Sequence, residues 1–174
     1  EAVALPHPHT GHESEPPAVR ALGERQAPLA GAGAVAGVEE ADLDLVGVVV
    51  ASPDKVGRDA GELACVQPLG VVATDDRSFA LGGDVDAVVY AATADTRPEE
   101  AYADLLDCLR SGANVVSTAF YPLLHPPSAP AELLDVIGPA CAEGDSSVFV
   151  SGIDPGWALD ILPGLVSGVG AGIT

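Results

Sequence analysis

From Leu43 onward the chain repeats two patterns of apolar and polar positions. Short apolar runs rich in β-branched residues recur at Leu43 to Val50, Leu69 to Ala73, Asp86 to Ala92, Asn114 to Ala119 and Ser147 to Ser151. Nearly continuous apolar character over such short lengths predicts strands covered on both faces, as in a parallel sheet. Between several of these runs, apolar residues fall at helical spacing. The clearest helix is predicted from Pro98 to about Arg110: Pro98 suits a first turn, Glu99 and Glu100 complement the positive end of the helix dipole, and Ala101, Leu105, Leu106 and Leu109 form one inward stripe. Gly112 supplies its stop. A second helix is expected after Pro130, with Leu133, Leu134, Ile137 and Cys141 inward and Gly144 at its end.

Alternating strands and helices predict an α/β domain of the Rossmann type, a doubly wound parallel sheet. Helical crossovers force parallel pairing, so the loops that follow the strands gather on one rim, where such sheets bind ligands. Those loops are 51–58, 92–98, 118–128 and 152–157. Residues 1 to about 30 carry Pro6, Pro8, Pro16, Pro17 and Pro28 without strand or helix periodicity and read as an arm. The expected organisation is therefore a poorly structured arm or degraded first strand–helix unit at 1–40, a dinucleotide-binding domain at 41–152, and the beginning of a truncated substrate or oligomerisation domain at 153–174.

Charge narrows the partners. With 26 acidic against 7 basic residues the net charge is -19, which repels phosphate backbones and anionic membrane surfaces, so neither nucleic acid nor membrane is expected. A hydrophobic content of 48% is too high for a chain disordered through most of its length. Cys65, Cys108 and Cys141 form no C-x-x-C pair and read as reduced, buried, small apolar side chains. No apolar stretch is long enough to span a bilayer, and the first residues lack the order of a signal peptide, so the expected location is cytoplasmic. His7, His9 and His12 are close in sequence but lie in the Pro-rich arm without acidic or cysteine partners, so no metal site is expected there.

Two segments bear on phosphate and ribose binding. Gly31-Ala32-Gly33-Ala34-Val35-Ala36-Gly37 has the spacing of a glycine-rich phosphate turn, yet only Val38 to Asp42 separate it from the next apolar run, which leaves little room for the helix such a turn opens. A flexible Gly/Ala linker is the competing reading. After the strand ending at Val50 stand Ser52, Lys55 and Arg58, where such domains read the adenosine ribose. The absence of an acidic residue at Ala51 and Ser52, with two nearby cations, slightly favours NADP(H) over NAD(H). Alternatively, Ser52 and Pro53 start a helical turn and both cations are solvated. Asp59 and Glu62 have the spacing of a capping box. His125 faces either the cleft or its own turn, and Asp154 is expected to cap the helix that carries Trp157, Leu159 and Ile161.

Val56-Gly57-Arg58-Asp59-Ala60-Gly61-Glu62-Leu63, following a β-branched strand, resembles the dihydrodipicolinate reductase family, in which a G-x-D-A-G-E-L stretch follows the second strand. Asp86-Ala87-Val88-Val89-Tyr90-Ala91-Ala92-Thr93, Gly112-Ala113-Asn114-Val115-Val116-Ser117-Thr118 and Gly152-Ile153-Asp154-Pro155-Gly156 are similar to its relatives, the 2,4-diaminopentanoate dehydrogenases and other amine dehydrogenases. The resemblance covers about residues 43–174. It implies an NAD(P)H-dependent oxidoreductase that moves hydride to or from a C=N bond or amine-bearing carbon of a small-molecule substrate. It further implies that Ala92, Thr93, Ser117 and Thr118 border the nicotinamide and its ribose, and that the full-length form is a homo-oligomer. The chain departs from the reductase in lacking its paired histidines and its catalytic lysine with the S-G-T segment. Where amine dehydrogenase relatives carry acidic residues after the strand at 114–119, this chain has Phe120 and Tyr121, so no catalytic residue is assigned. The alternative function is a non-catalytic nucleotide-binding domain or an inactive remnant.

Overall fold

The β-branched runs pair as parallel strands. The computed structural model describes residues 18–23, 44–78 and 85–169. Among them, six strands form one sheet: β1 (Ala18–Gly23), β2 (Asp44–Val50), β3 (Ala73–Thr74), β4 (Ala87–Tyr90), β5 (Asn114–Ser117) and β6 (Val148–Val150), in the order β3-β2-β1-β4-β5-β6. Every strand pairing in it is parallel. The order runs outward in both directions from β1, so the chain reverses its winding between β1 and β4, and the crevice at their carboxyl ends is where doubly wound sheets bind ligands.

β1 lies within the residues read as either a poorly structured arm or a degraded first strand–helix unit. Ala18–Gly23 pairs with β2 on one side and with β4 on the other, from Ala18↔Asp44 to Gly23↔Val50 and from Val19↔Ala87 to Leu22↔Tyr90. The six-residue segment shows no alternating pattern because a central parallel strand needs none. The Gly31–Gly37 turn and His7, His9 and His12 lie outside the described residues.

The run at Leu69 to Ala73 pairs only at its end. Leu69 N–H and Gly70 N–H donate instead to the Asp59 carboxylate (3.0 and 2.8 Å), and Val71 C=O accepts from Ala60 N–H at 2.8 Å. Asp59 also caps α1 (Ala60–Leu63), accepting from the N–H groups of Gly61 and Glu62. Four donors on one carboxylate, Leu69 N–H foremost, hold its pKa below the ordinary aspartate range. Glu62 does not reach back to complete the capping box but pairs with Arg58 at 2.9 Å.

The long helices follow the sequence closely. α2 (Pro98–Arg110) buries Ala101, Leu105, Cys108 and Leu109, and α3 (Ala131–Gly144) buries Ile137 and Ala140. Both pack over β4, β5 and β6, where Val88, Tyr90, Val115 and Val150 belong to the same core. Leu134 is turned outward, a departure from the expected inward stripe. Gly144 is not the left-handed stop; that conformation falls to Asp145 (φ 50°). Gly144 instead lets the helices approach, since a Cβ there would stand 1.9 Å from the Leu109 carbonyl oxygen. Beyond β6, Ile153–Ile161 winds in wide π-type turns and continues as α4 (Leu162–Ser167). No described helix is long and apolar enough to cross a membrane.

Candidate nucleotide and substrate site

Because all the strands point one way, loops 51–58, 92–98, 118–128 and 152–157 lie on one rim. Among the described residues, cavities open along it. The first, of about 200 Å³, lies at the ends of β2, β3 and β4 against Val49, Val50, Ala51 and Ala92, with Asp75, Arg77, Arg97 and Asp104 supplying its polar wall. The second, of about 300 Å³, lies beyond β5 and β6 and is lined by Thr118, Tyr121, Leu124 and residues 150–154.

The polar wall is a built network. Arg97 Nη2 donates to Asp104 Oδ2 (2.9 Å) and to Tyr90 Oη (3.1 Å), Tyr90 Oη donates to Asp104 Oδ2 (3.3 Å), and Arg77 Nη1 reaches Asp104 Oδ1 at 3.0 Å. Asp104 is thereby answered by two guanidiniums while sitting at the edge of the buried stripe of α2. The Tyr90 ring is fully buried and lies 5.0 Å from Phe120, which in turn lies 5.1 Å from Tyr102. Burial, and next the charge of Asp104, push the Tyr90 hydroxyl up to about 12, so it stays a neutral donor at ordinary pH.

The residues expected to hold the cofactor divide among several places. Ser52 is buried at the end of β2, and its Oγ has no hydrogen-bond partner; it does not cap the 3-10 turn Pro53–Lys55 that follows. Lys55 is half-buried and Arg58 is exposed in its pair with Glu62; with Ser52, they line neither cavity. Ala92 lines the first cavity, with half-buried Thr93 beside it. Ser117 is buried with its hydroxyl committed, donating to Tyr90 C=O and accepting from Ala119 N–H, whereas Thr118 lines the second cavity.

Arg77, Arg97, Asp104 and Asp75 are not among the residues expected from sequence. The available signal was a carboxylate at 104 between the apolar positions 101 and 105, since an acidic side chain beside a buried stripe needs a cation. His125 takes its turn role, with Nδ1 2.7 Å from Ser128 Oγ in an exposed 3-10 turn. Asp154 does not cap its helix: Gly152 occupies the cap position with no side-chain bond. Cys65, expected to be buried, is exposed, while Cys108 is buried; all three cysteines are free. Among the described residues no group of three or more His, Cys, Asp or Glu is placed to hold a metal.

No family model matches the chain. It is 52% identical over 132 residues to an amine dehydrogenase of Streptomyces virginiae, a match that spans 75% of this chain and 37% of that one. Among solved structures it superposes on an amine dehydrogenase from Mycobacterium smegmatis with a TM-score of 0.70 at 23% identity, covering 91% of this chain and 45% of the other. A homoserine dehydrogenase from S. aureus aligns with a TM-score of 0.55 at 16% identity over 78% of this chain and 32% of that one. An NAD-binding protein from Listeria innocua aligns at 0.53 and 20% identity over 77% and 34%. At these identities the structural likenesses carry the fold, a Rossmann-like α/β sheet. The chain spans less than half the length of these relatives.

Proposed function

We propose that this chain is the nucleotide-binding part of an NAD(P)H-dependent oxidoreductase of the dihydrodipicolinate reductase-like type, acting on a C=N bond or an amine-bearing carbon. The observation that carries the reading is the winding reversal between β1 and β4, with two cavities on the carboxyl rim, in a chain 52% identical over 132 residues to an amine dehydrogenase.

The residues present fit a dinucleotide. Ser52 Oγ, buried and unbonded at the end of β2, is a donor in want of an acceptor, and a ribose hydroxyl or its phosphate supplies one. Ala51 and Ser52 present no carboxylate to repel a 2′-phosphate, and Lys55 and Arg58 stand in the same loop, so NADP(H) is slightly favoured over NAD(H). The small side chain of Ala92 leaves room for a flat group against the sheet. Thr93 follows Ala92 in the loop after β4, and Thr118 lines the second cavity. When bound, the nicotinamide supplies or accepts the hydride. The chain's own contribution is to orient it, to exclude water along the apolar floor formed by Val49, Val50 and Ala92, and to hold a small-molecule substrate beyond β5 and β6.

In its full-length form the protein is, on this reading, a cytoplasmic homo-oligomer. The apolar side chains left exposed at Phe149 and Leu165 support burial against further protein. Fluorescence titration of the 174-residue chain with NADPH and NADH tests the reading. Saturable binding is expected, tighter for NADPH; no binding of either at millimolar concentration removes the proposal.

A further inference from the structure

We infer that Asp154 is the carboxylate that anchors a cationic amino group of the substrate in the cavity beyond β5 and β6. The inference rests on the oxidoreductase reading and assigns a residue to its substrate side. An aspartate at the cap position of a helix satisfies a backbone N–H there, but Asp154 stands two residues inside the helix that Gly152 begins. Here the turn closes without it, through Trp157 N–H donating to Gly152 C=O at 2.8 Å, and Gly152 holds the cap position with no side-chain bond. The carboxylate makes no hydrogen bond or ion pair among the described residues and lines the cavity.

Its surroundings fit a small alkylammonium. Leu124, Val150 and Ile153 give apolar walls for a hydrocarbon stem, while Thr118, Tyr121 and Ser151 bring hydroxyls that have no side-chain partner of their own. Among the described residues, Asp154 is the only formally charged side chain on the lining. The described arginines that form ion pairs are turned elsewhere: Arg58 pairs with Glu62, Arg77 and Arg97 pair with Asp104, and Arg110 pairs with Asp107 and Glu143. Asp154 itself is exposed, so selectivity for an alkylammonium comes from the apolar walls beside the carboxylate and not from its burial. A volume of about 300 Å³ suits a small amine. Sequence reasoning assigns Asp154 to a cap because it knows the Gly-Ile-Asp-Pro-Gly spacing but not that the first turn closes at wide, π-type pitch.

The test is a two-dimensional amide NMR titration of the 174-residue chain with butylammonium chloride, with butanol as the uncharged control and NADPH titrated separately. Saturable shifts at Thr118, Ser151 and Asp154 are expected for butylammonium and not for butanol. Asp154→Asn is expected to weaken butylammonium at least about tenfold while leaving NADPH affinity and the melting temperature unchanged. Asp154→Glu is expected to recover part of the loss. Equal butylammonium binding by Asp154→Asn, or none by a chain that binds NADPH, overturns the anchor. Butylammonium binding that depends on Asp154 in a chain that binds neither cofactor supports the anchor as a cation site and strikes the oxidoreductase reading instead.

Discussion

The Ser117 hydroxyl donates to the main-chain carbonyl of Tyr90 at 2.9 Å, joining β5 to β4 where both strands end. The same oxygen accepts from Ala119 N–H at 3.0 Å, so one buried side chain sets both the strand spacing and the first step of the loop beyond β5. Removing it leaves a buried donor and acceptor unsatisfied. Ser117→Ala is expected to cost about 1–3 kcal/mol, read as a lowered midpoint in urea unfolding. Its direct effect on cofactor affinity should be small, because the hydroxyl faces inward. A stability unchanged by the substitution, together with a large loss of NADPH affinity, would show that the hydroxyl turns to the ligand instead.

The Tyr90, Arg97 and Asp104 group makes a pH-dependent contribution of definite sign. Burial raises the Tyr90 hydroxyl from 10.0 to about 12 and the Cys108 thiol from 9.0 to about 12. For a group whose folded pKa is raised, the stabilising contribution is complete below the unfolded value and disappears as pH rises through the folded value. Stability is therefore expected to fall between about pH 9 and pH 12, and Tyr90→Phe should flatten the upper part of that fall. At the acid end the sign reverses. Asp59 is depressed below 3.8, so its contribution is present above that value and is lost as pH falls below it. Urea midpoints measured across the pH range check both arms.

Asp104→Asn separates the network's structural share from any ligand contact. Asp104 is largely buried beside Arg97, and losing its charge removes the carboxylate that the guanidinium meets at 2.9 Å. A cost of about 2 kcal/mol is expected, with Arg77, half exposed, contributing little of it. Thermal melting of the variant beside Arg77→Ala checks the division; equal losses from the two would contradict it.

How much of this was legible in sequence follows from which interactions define each element. β2, β4, β5, β6, α2 and α3 owe their form to local apolar patterns, and their positions agree with those patterns. β1 is a strand because two neighbours flank it, a fact of tertiary pairing that six residues cannot announce. β3 is short because Asp59 diverts the N–H groups of Leu69 and Gly70, ten and eleven residues along the chain. At the rim, Ala92 and Thr118, named by the family resemblance, each line a cavity. Arg77 meets Asp104 across 27 residues, and that meeting depends on the sheet order.

The cysteines give a chemical ruler for that burial. Cys65 is exposed, Cys141 partly so, and Cys108 is enclosed with its thiol pushed up to about 12. Alkylation proceeds through the thiolate, so modification by iodoacetamide near pH 8 should begin at Cys65 and reach Cys108 only on unfolding. Mass spectrometry of the native and urea-treated chain distinguishes the three. Cys65 also holds φ at 59°, a left-handed backbone that a Cβ disfavours. Cys65→Gly is thus expected to be neutral or to stabilise by up to about 1 kcal/mol despite removing a side chain.

The approach of α2 to α3 gives the most demanding stability test. A Cβ on Gly144 would meet Leu109 C=O at 1.9 Å and Leu109 C at 3.0 Å, both backbone atoms that no side-chain rotation can clear. Ser146 Oγ donates to the same carbonyl at 2.7 Å, so separating the helices to admit a methyl group also stretches that bond. Gly138, on the same helix, has nothing within 4 Å of an added Cβ. Gly144→Ala is expected to destabilise by about 1–3 kcal/mol, whereas Gly138→Ala should stabilise by about 0.5–1 kcal/mol through helix propensity. Equal effects of the two alanines on the urea midpoint would mean that the helices do not touch at Leu109, and the packing that positions the β5 and β6 rim would need another explanation.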